Sequence, residues 1–166
     1  MATSSNILTI SATPGAAIGC DLTDAPDTPE ERVAEYGRLF AHALVARDRL
    51  DTAVAFTFAA KPGVAEWIVD LVRREAACCP FFAYTVEDRD AEIVWTTSTD
   101  VGPAGQAILD EFFAGPDRFD DGFAGLIDRL AERDVKIVAD GPTRFVLAES
   151  SNDPGNGRST ETAETS

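Results

Sequence analysis

Cys78 and Cys79 stand side by side, and with Cys20 they make up all three thiols of a 166-residue chain. A thiolate is the soft nucleophile and soft-metal ligand of protein chemistry, so these three residues are where reactivity is expected first. Two or three thiolates satisfy a thiophilic ion such as trivalent arsenic or divalent mercury. Successive residues of a regular helix diverge by about 100°, so an adjacent pair converges on one centre only where a helix ends. Pro80 biases Cys79 toward extended backbone there, and an N-terminal arm folded back over the pair would bring Cys20 as the third sulfur. Zinc fits less well: the paired Cys-x-x-Cys spacing is missing, and the chain's only histidine, His42, is the sole imidazole for a fourth position.

The same residues admit other chemistry. The negative end of a helix dipole opposes thiolate formation, which argues against Cys78 or Cys79 as an activated nucleophile, whereas a bound cation reverses that penalty. Ion capture is therefore favoured over catalysis. Packing as small hydrophobes stands beside it as an alternative. Glu75 lies one helical turn before Cys79, and is the candidate catalytic group, as general base for a thiol or as a hard auxiliary ligand. Its plainer role is a boundary carboxylate paired with Arg73, Arg74 or a strand residue. A disulfide within Cys78-Cys79 closes a strained small ring, whereas a link from Cys20 to either one is unstrained and would make the arm a redox latch. His42, off the apolar stripe of its helix, reads as a surface imidazole. No glycine-rich phosphate loop follows a strand, and a hydrolytic triad is improbable with one histidine and no nucleophile elbow.

The net charge is −15 and the sequence pI is about 4.3. Among 14 basic residues only Lys61 and Lys136 are lysines. No concentrated basic patch is available for phosphate, which argues against nucleic acid and anionic membrane as partners. The carboxylates are spread along the chain and suit a solvated surface of the kind found in high-salt cytoplasm, and the scarcity of lysine fits either that setting or a GC-rich genome. No apolar run reaches the roughly 18 residues of a membrane span. The first residues lack the features of a secretory signal, so a cytoplasmic location is expected, and cysteines in such a compartment serve metal, redox or catalytic roles more often than disulfide scaffolding.

Three segments are expected: a flexible arm over 1–27 that carries Cys20, one domain over 28–148, and a disordered polar tail over 149–166. Within the arm, Ile7-Leu8-Thr9-Ile10 has the makings of an edge strand. Thr28-Pro29-Glu30-Glu31 forms a capping box with proline at the first helical position, and the apolar period of Val33, Tyr36, Phe40 and Leu44 predicts a helix to about Ala46. Val54, Phe56 and Phe58 alternate as a strand should. Val64, Ile68, Leu71, Val72 and Ala76 form the buried stripe of a second helix that Pro80 ends. A hairpin follows over 81–98, with Phe81, Phe82, Tyr84 and Trp95 expected in the core. A third helix capped by Asp100 should run to about Phe113, a fourth should place Phe123, Leu126, Ile127 and Leu130 inward, and a last hairpin turns at Asp140-Gly141-Pro142-Thr143. This order contains a split βαβ stretch and predicts an α+β two-layer sandwich, a largely antiparallel sheet with helices on one face.

Cys20, the segment Arg32 to Tyr36, Phe56-Thr57-Phe58, and the run Glu75-Ala76-Ala77-Cys78-Cys79-Pro80-Phe81-Phe82-Ala83-Tyr84 together resemble a group of small bacterial proteins. That group shares an N-terminal Cys, a helix bearing an Arg and a Glu-x-x-Cys-Cys-x-Phe core, and is associated with heavy-metal or metalloid resistance. The resemblance spans about Cys20 to Phe113, leaves the extension after Gly115 outside it, and implies a metal or thiol role.

The expectation is thus a thiol-based protein that captures a soft metal or metalloid ion through Cys20, Cys78 and Cys79, with no organic cofactor and with a small ion or small thiol-reactive molecule as its partner. The rivals are a thiol-dependent enzyme or redox protein using Cys78 or Cys79 with Glu75, and a small interaction module whose cysteines are structural.

Overall fold

A computed structural model describes residues 5–148; the tail expected over 149–166 lies outside the described residues. The chain is α+β. Strand β1 (Ser5–Ile10) and the short β2 (Gly19–Asp21) precede helix α1 (Pro29–Ala43), strands β3 (Leu44–Arg49) and β4 (Ala53–Ala59), and helix α2 (Val64–Cys78). Then come β5 (Ala83–Asp88), β6 (Glu92–Ser98), α3 (Gly102–Arg118), a 3-10 turn at Phe119–Asp121, α4 (Gly122–Glu132), β7 (Ile137–Ala139) and β8 (Arg144–Leu147). Among the described residues, no helix is long and apolar enough to cross a membrane.

Five strands form an antiparallel sheet in the order β1-β5-β6-β4-β3, with β1 as an edge strand on β5. In β4 the period-2 pattern of the sequence becomes burial, since Val54, Phe56 and Phe58 are enclosed while Ala55 and Thr57 are only half-buried. Tyr84, Val86, Ile93 and Trp95 on β5 and β6 join them, and α1, α2 and α3 contribute Tyr36, Phe40, Ile68, Leu71 and Leu109 to one core. Tyr36 is central to it: its ring stacks on Trp95 at 5.5 Å between centroids and meets Phe112 and Phe119 edge-on at 5.6 and 5.9 Å.

Helix α1 begins with the capping box of the sequence, Thr28 Oγ1 accepting from the Glu31 amide and the Glu31 carboxylate accepting from the Thr28 amide. It stops earlier than the apolar period suggests. Leu44 turns extended and starts β3, whose pairing with β4 from Leu44↔Phe58 to Arg49↔Val54 satisfies backbone groups that further helix would have used. At the other end of that sheet region, Gly63 enters α2 at a φ of 83°, a conformation that glycine adopts without a Cβ penalty.

Helix α3 differs from expectation at both ends. Asp100 does not cap it; the Thr99 hydroxyl accepts from the Val101 amide instead. The helix also runs through Gly115-Pro116 to Arg118, because Gly115 lets the Phe119 ring close on the helix; a Cβ there would lie 2.8 Å from that ring. The C-terminal hairpin does not extend the main sheet. β7 and β8 pair with β2 in a second antiparallel sheet of order β2-β8-β7, which places Cys20 opposite Phe145.

Candidate functional site

Cys79 is the C-cap residue of α2. Its amide donates to the Glu75 carbonyl at 2.7 Å, and its backbone has left helical angles, as Pro80 dictates. The segment before β2 returns to this point, with the Thr13 amide donating to the Pro80 carbonyl at 2.8 Å. β2 then runs antiparallel to β8, and the Leu22 amide donates to the Thr143 carbonyl at 2.8 Å. These backbone bonds carry Cys20 to Cys79. The two form a disulfide with Cα atoms 4.7 Å apart, bridging 59 positions of sequence.

That bond corrects the expectation of a trithiolate. Two of the three expected metal ligands, Cys20 and Cys79, are spent on each other, which leaves Cys78 as the free thiol. Among the described residues, no group of three or more His, Cys, Asp or Glu side chains is arranged to hold a metal ion. The reading of the chain as a protein that captures arsenite- or mercuric-type ions through Cys20, Cys78 and Cys79 is therefore overturned. The bridge joins the arm to the helix end, so the sulfurs meet as the capture reading required, but by covalent pairing. His42 is exposed, and its backbone carbonyl accepts from Lys61 Nζ.

Cys78 occupies the last turn of α2 and is only 3% exposed. Arg32, on α1, reaches it across the helix pair, with Nη2 3.7 Å from Cys78 Sγ. The same guanidinium donates from Nη1 to Glu75 Oε1 at 2.6 Å, and from Nε and Nη2 to the two oxygens of Asp27 at 2.6 and 2.7 Å. Asp27 also accepts from Arg74, which binds Glu35 through both Nη atoms, and Glu35 accepts from the Trp67 indole. A connected polar network thus runs from beside the sulfurs to the outer face of α2. Glu75 does not contact a thiol as a general base would, since its carboxylate is engaged by Arg32.

The electrostatics follow from burial and this pairing. Burial pushes the Cys78 thiol above its ordinary value, and the Arg32 guanidinium opposes that by hydrogen bond and charge. Burial works to lower the Arg32 pKa, but its bonds with Asp27 and Glu75 and its contact with Cys78 outweigh that and raise it. The bond from Arg32 holds Asp27 below the usual carboxylate range, and the bond from Arg74 does the same for Glu35. Burial, and then the nearby Glu75 carboxylate, push the hydroxyls of Tyr36 and Tyr84 well up. Glu75 lies close enough to the Tyr36 hydroxyl to act on it directly, but among the described residues neither hydroxyl has a partner of good hydrogen-bond geometry.

The sulfurs share the wall of a cavity of about 120 Å³ that lies between the main core and the small sheet. Arg32, Tyr36 and Glu75 also border it, and much of the remaining wall is aromatic or aliphatic, Phe81, Phe82, Phe112, Leu126 and Phe145 among them. Phe81 and Phe82 are buried as expected, but they serve the cavity as well as the core. Such an arrangement can exchange sulfur–sulfur bonds, hold a cation beside a forming thiolate and shelter an apolar group.

Sequence reasoning missed Arg32 as a site residue. The signal was present: Arg32 sits four residues before Tyr36 on the stripe that continues through Leu39, Phe40 and Ala43, where an unpaired cation would be costly, so a buried anion should have been sought. It also missed that the segments on either side of the domain join into one sheet around Cys20. No protein-family model, no curated protein and no solved structure matches this chain.

Proposed function

We propose that this protein carries out thiol–disulfide exchange, cycling Cys20 and Cys79 between a disulfide and two thiols. The observation that carries the reading is the Cys20–Cys79 bond beside the free thiol of Cys78, with Arg32 3.7 Å from that sulfur and all three cysteines on one cavity. A bridge that only braces the fold needs neither a third thiol next to it nor a buried guanidinium on that thiol. Opening the bridge adds two thiols beside Cys78, on whose sulfur the Arg32 guanidinium opposes the effect of burial by hydrogen bond and charge. In balance, the protein disulfide and two thiols R–SH give the protein dithiol and R–S–S–R, with two electrons passing to the protein. A cytoplasmic setting, where thiol buffers are abundant, fits this traffic.

The test is a redox titration. The folded protein is equilibrated with glutathione buffers, quenched by alkylation and weighed, so that one free thiol is read for the oxidised form and three for the reduced. A midpoint between about −270 and −120 mV, the span of exchange-active proteins, is expected. A midpoint below about −300 mV would place the bridge with structural disulfides and overturn the reading.

A further inference from the structure

We infer that the thiol exchanging at this site is a small, uncharged, apolar one, taken up in the cavity that borders the three cysteines; the inference rests on the exchange reading above.

The cavity's size sets the first limit. At about 120 Å³ it is somewhat smaller than the engineered apolar cavities of roughly 150 Å³ that admit benzene, so it has room to enclose a short chain or about one ring and not a whole tripeptide.

Its charges set the second limit. An anionic thiol would need an unspent cation, and Arg32 is already bound on one side by Asp27 and on the other by Glu75. The other carboxylate on the wall, Glu111, is 4% exposed and pairs with Arg129 at 2.7 Å. A carboxylate entering here would lose its water and meet two like charges, within a chain whose net charge is −15. A neutral molecule meets neither cost and gains by covering Phe81, Phe82, Phe112, Leu126 and Phe145.

The third observation is the Tyr36 hydroxyl. Tyr36 is 3% exposed and borders the cavity, and among the described residues its hydroxyl, although near the Glu75 carboxylate, has no partner of good hydrogen-bond geometry. A buried donor without a well-placed acceptor is costly, and an incoming sulfur supplies a further, weak one.

R–SH gives up its proton and its sulfur attacks Cys79 Sγ; the bond to Cys20 breaks, and the Cys20 sulfur leaves with the electron pair and takes a proton. Cys20 is the better leaving group because it is half-buried, whereas Cys79 is 4% exposed, so the departing thiolate is the better hydrated of the two. A second R–SH attacks the bound R sulfur, releasing R–S–S–R and leaving Cys79 as a thiol.

The experiment compares reduction of the native protein by benzyl mercaptan, 2-mercaptoethanol and glutathione, each rate divided by that of the same thiol on cystamine so that intrinsic reactivity cancels. Benzyl mercaptan is expected to exceed both others by at least about tenfold, the ratio that 1.4 kcal/mol of differential binding gives, and its rate should saturate with concentration. Filling the cavity with Leu126→Trp should collapse that ratio, and Ile108→Phe serves the same purpose where the tryptophan variant does not fold. Equal normalised rates, or a preference that survives filling, would overturn the inference while leaving exchange standing. Failure of all three thiols and of dithiothreitol to open the bridge in the folded protein would instead overturn the exchange reading, and the inference with it.

Discussion

Arg32 Nη1 donates to Glu75 Oε1 at 2.6 Å, with the two side chains only 5% and 8% exposed, so one buried ion pair ties α1 to α2 beside the free thiol. The two partners are not equivalent. Arg32 also holds Asp27 through two bonds, whereas among the described residues the only charged partner of Glu75 is Arg32. Arg32→Ala therefore strands a buried carboxylate and should cost about 3–5 kcal/mol in urea unfolding. Glu75→Gln leaves the guanidinium paired with Asp27 and should cost less than half of that; equal losses would show that the network does not divide in this way.

Acid should dissolve the outer part of the network first. Asp27 and Glu35 have folded pKa values depressed chiefly by the bonds from Arg32 and Arg74 respectively, below unfolded values of about 4. A depressed carboxylate contributes fully above its unfolded pKa, and the contribution is lost as pH falls through the folded pKa. Protonation of the many other carboxylates relieves self-repulsion over the same range, which acts in the opposite direction. The decisive quantity is thus a difference: between pH 6 and 3, Asp27→Asn should lose less stability than the parent in urea titrations.

The fold was legible where one physical signal acted alone. Val54, Phe56 and Phe58 alternate and became β4; Thr28 and Glu31 form a box and became the start of α1; Pro80 ended α2. It was illegible where tertiary pairing overrode the local signal. Leu44 continues a helical stripe but has Phe58 across from it, so a strand wins; Gly115-Pro116 reads as a break, but the Phe119 ring needs the missing Cβ, so the helix continues. The site divides in the same way. A meeting of Cys20 with the Cys78-Cys79 helix end was one option that the thiol chemistry offered, conditional on the arm folding back. That it bonds Cys79, and that Arg32 and Glu75 face each other across 43 positions, depends on β2 pairing with β8 and on α1 packing beside α2, and no local pattern encodes either.

Tyr36→Phe separates the cost of the lone hydroxyl from its use. Among the described residues its hydroxyl is buried without a partner of good hydrogen-bond geometry, despite the nearby Glu75 carboxylate, so removing it should leave stability unchanged or raise it by up to about 1 kcal/mol. A loss of more than 1 kcal/mol in thermal or urea unfolding would mean that the hydroxyl is satisfied in solution.

Gly19 controls how closely β2 approaches its neighbour. A Cβ at this position would lie 2.7 Å from the Phe145 carbonyl oxygen, an atom of the backbone that cannot swing aside. Gly19→Ala should push β2 from β8 and shift Cys20, which is the next residue and lies opposite Phe145. The expected result is slower and incomplete reoxidation of the Cys20–Cys79 pair after reduction, scored by alkylation and mass. Reoxidation at the parent rate would mean that the small sheet adjusts to the methyl group.

Loss of the bridge should be felt most in the small sheet. A cross-link over 59 positions removes about 4 kcal/mol of loop-closure freedom from the unfolded chain in the entropic account. Cys20→Ser ought therefore to lower global stability by up to that amount. The local effect is more diagnostic. The main sheet holds β4 between β3 and β6 and β5 between β1 and β6, whereas β2 is a three-residue strand bonded only to β8. Without the sulfur bond, β2 and its partners β8 and β7 keep few backbone contacts with the rest of the molecule, so their amides should exchange with solvent much faster while those of β4, β5 and β6 change only by the global loss. Hydrogen exchange on Cys20→Ser, and on the reduced parent, measures this directly. Uniform acceleration in all strands would mean that the small sheet is an integral part of the core, and that opening the bridge does not uncover the cavity behind it.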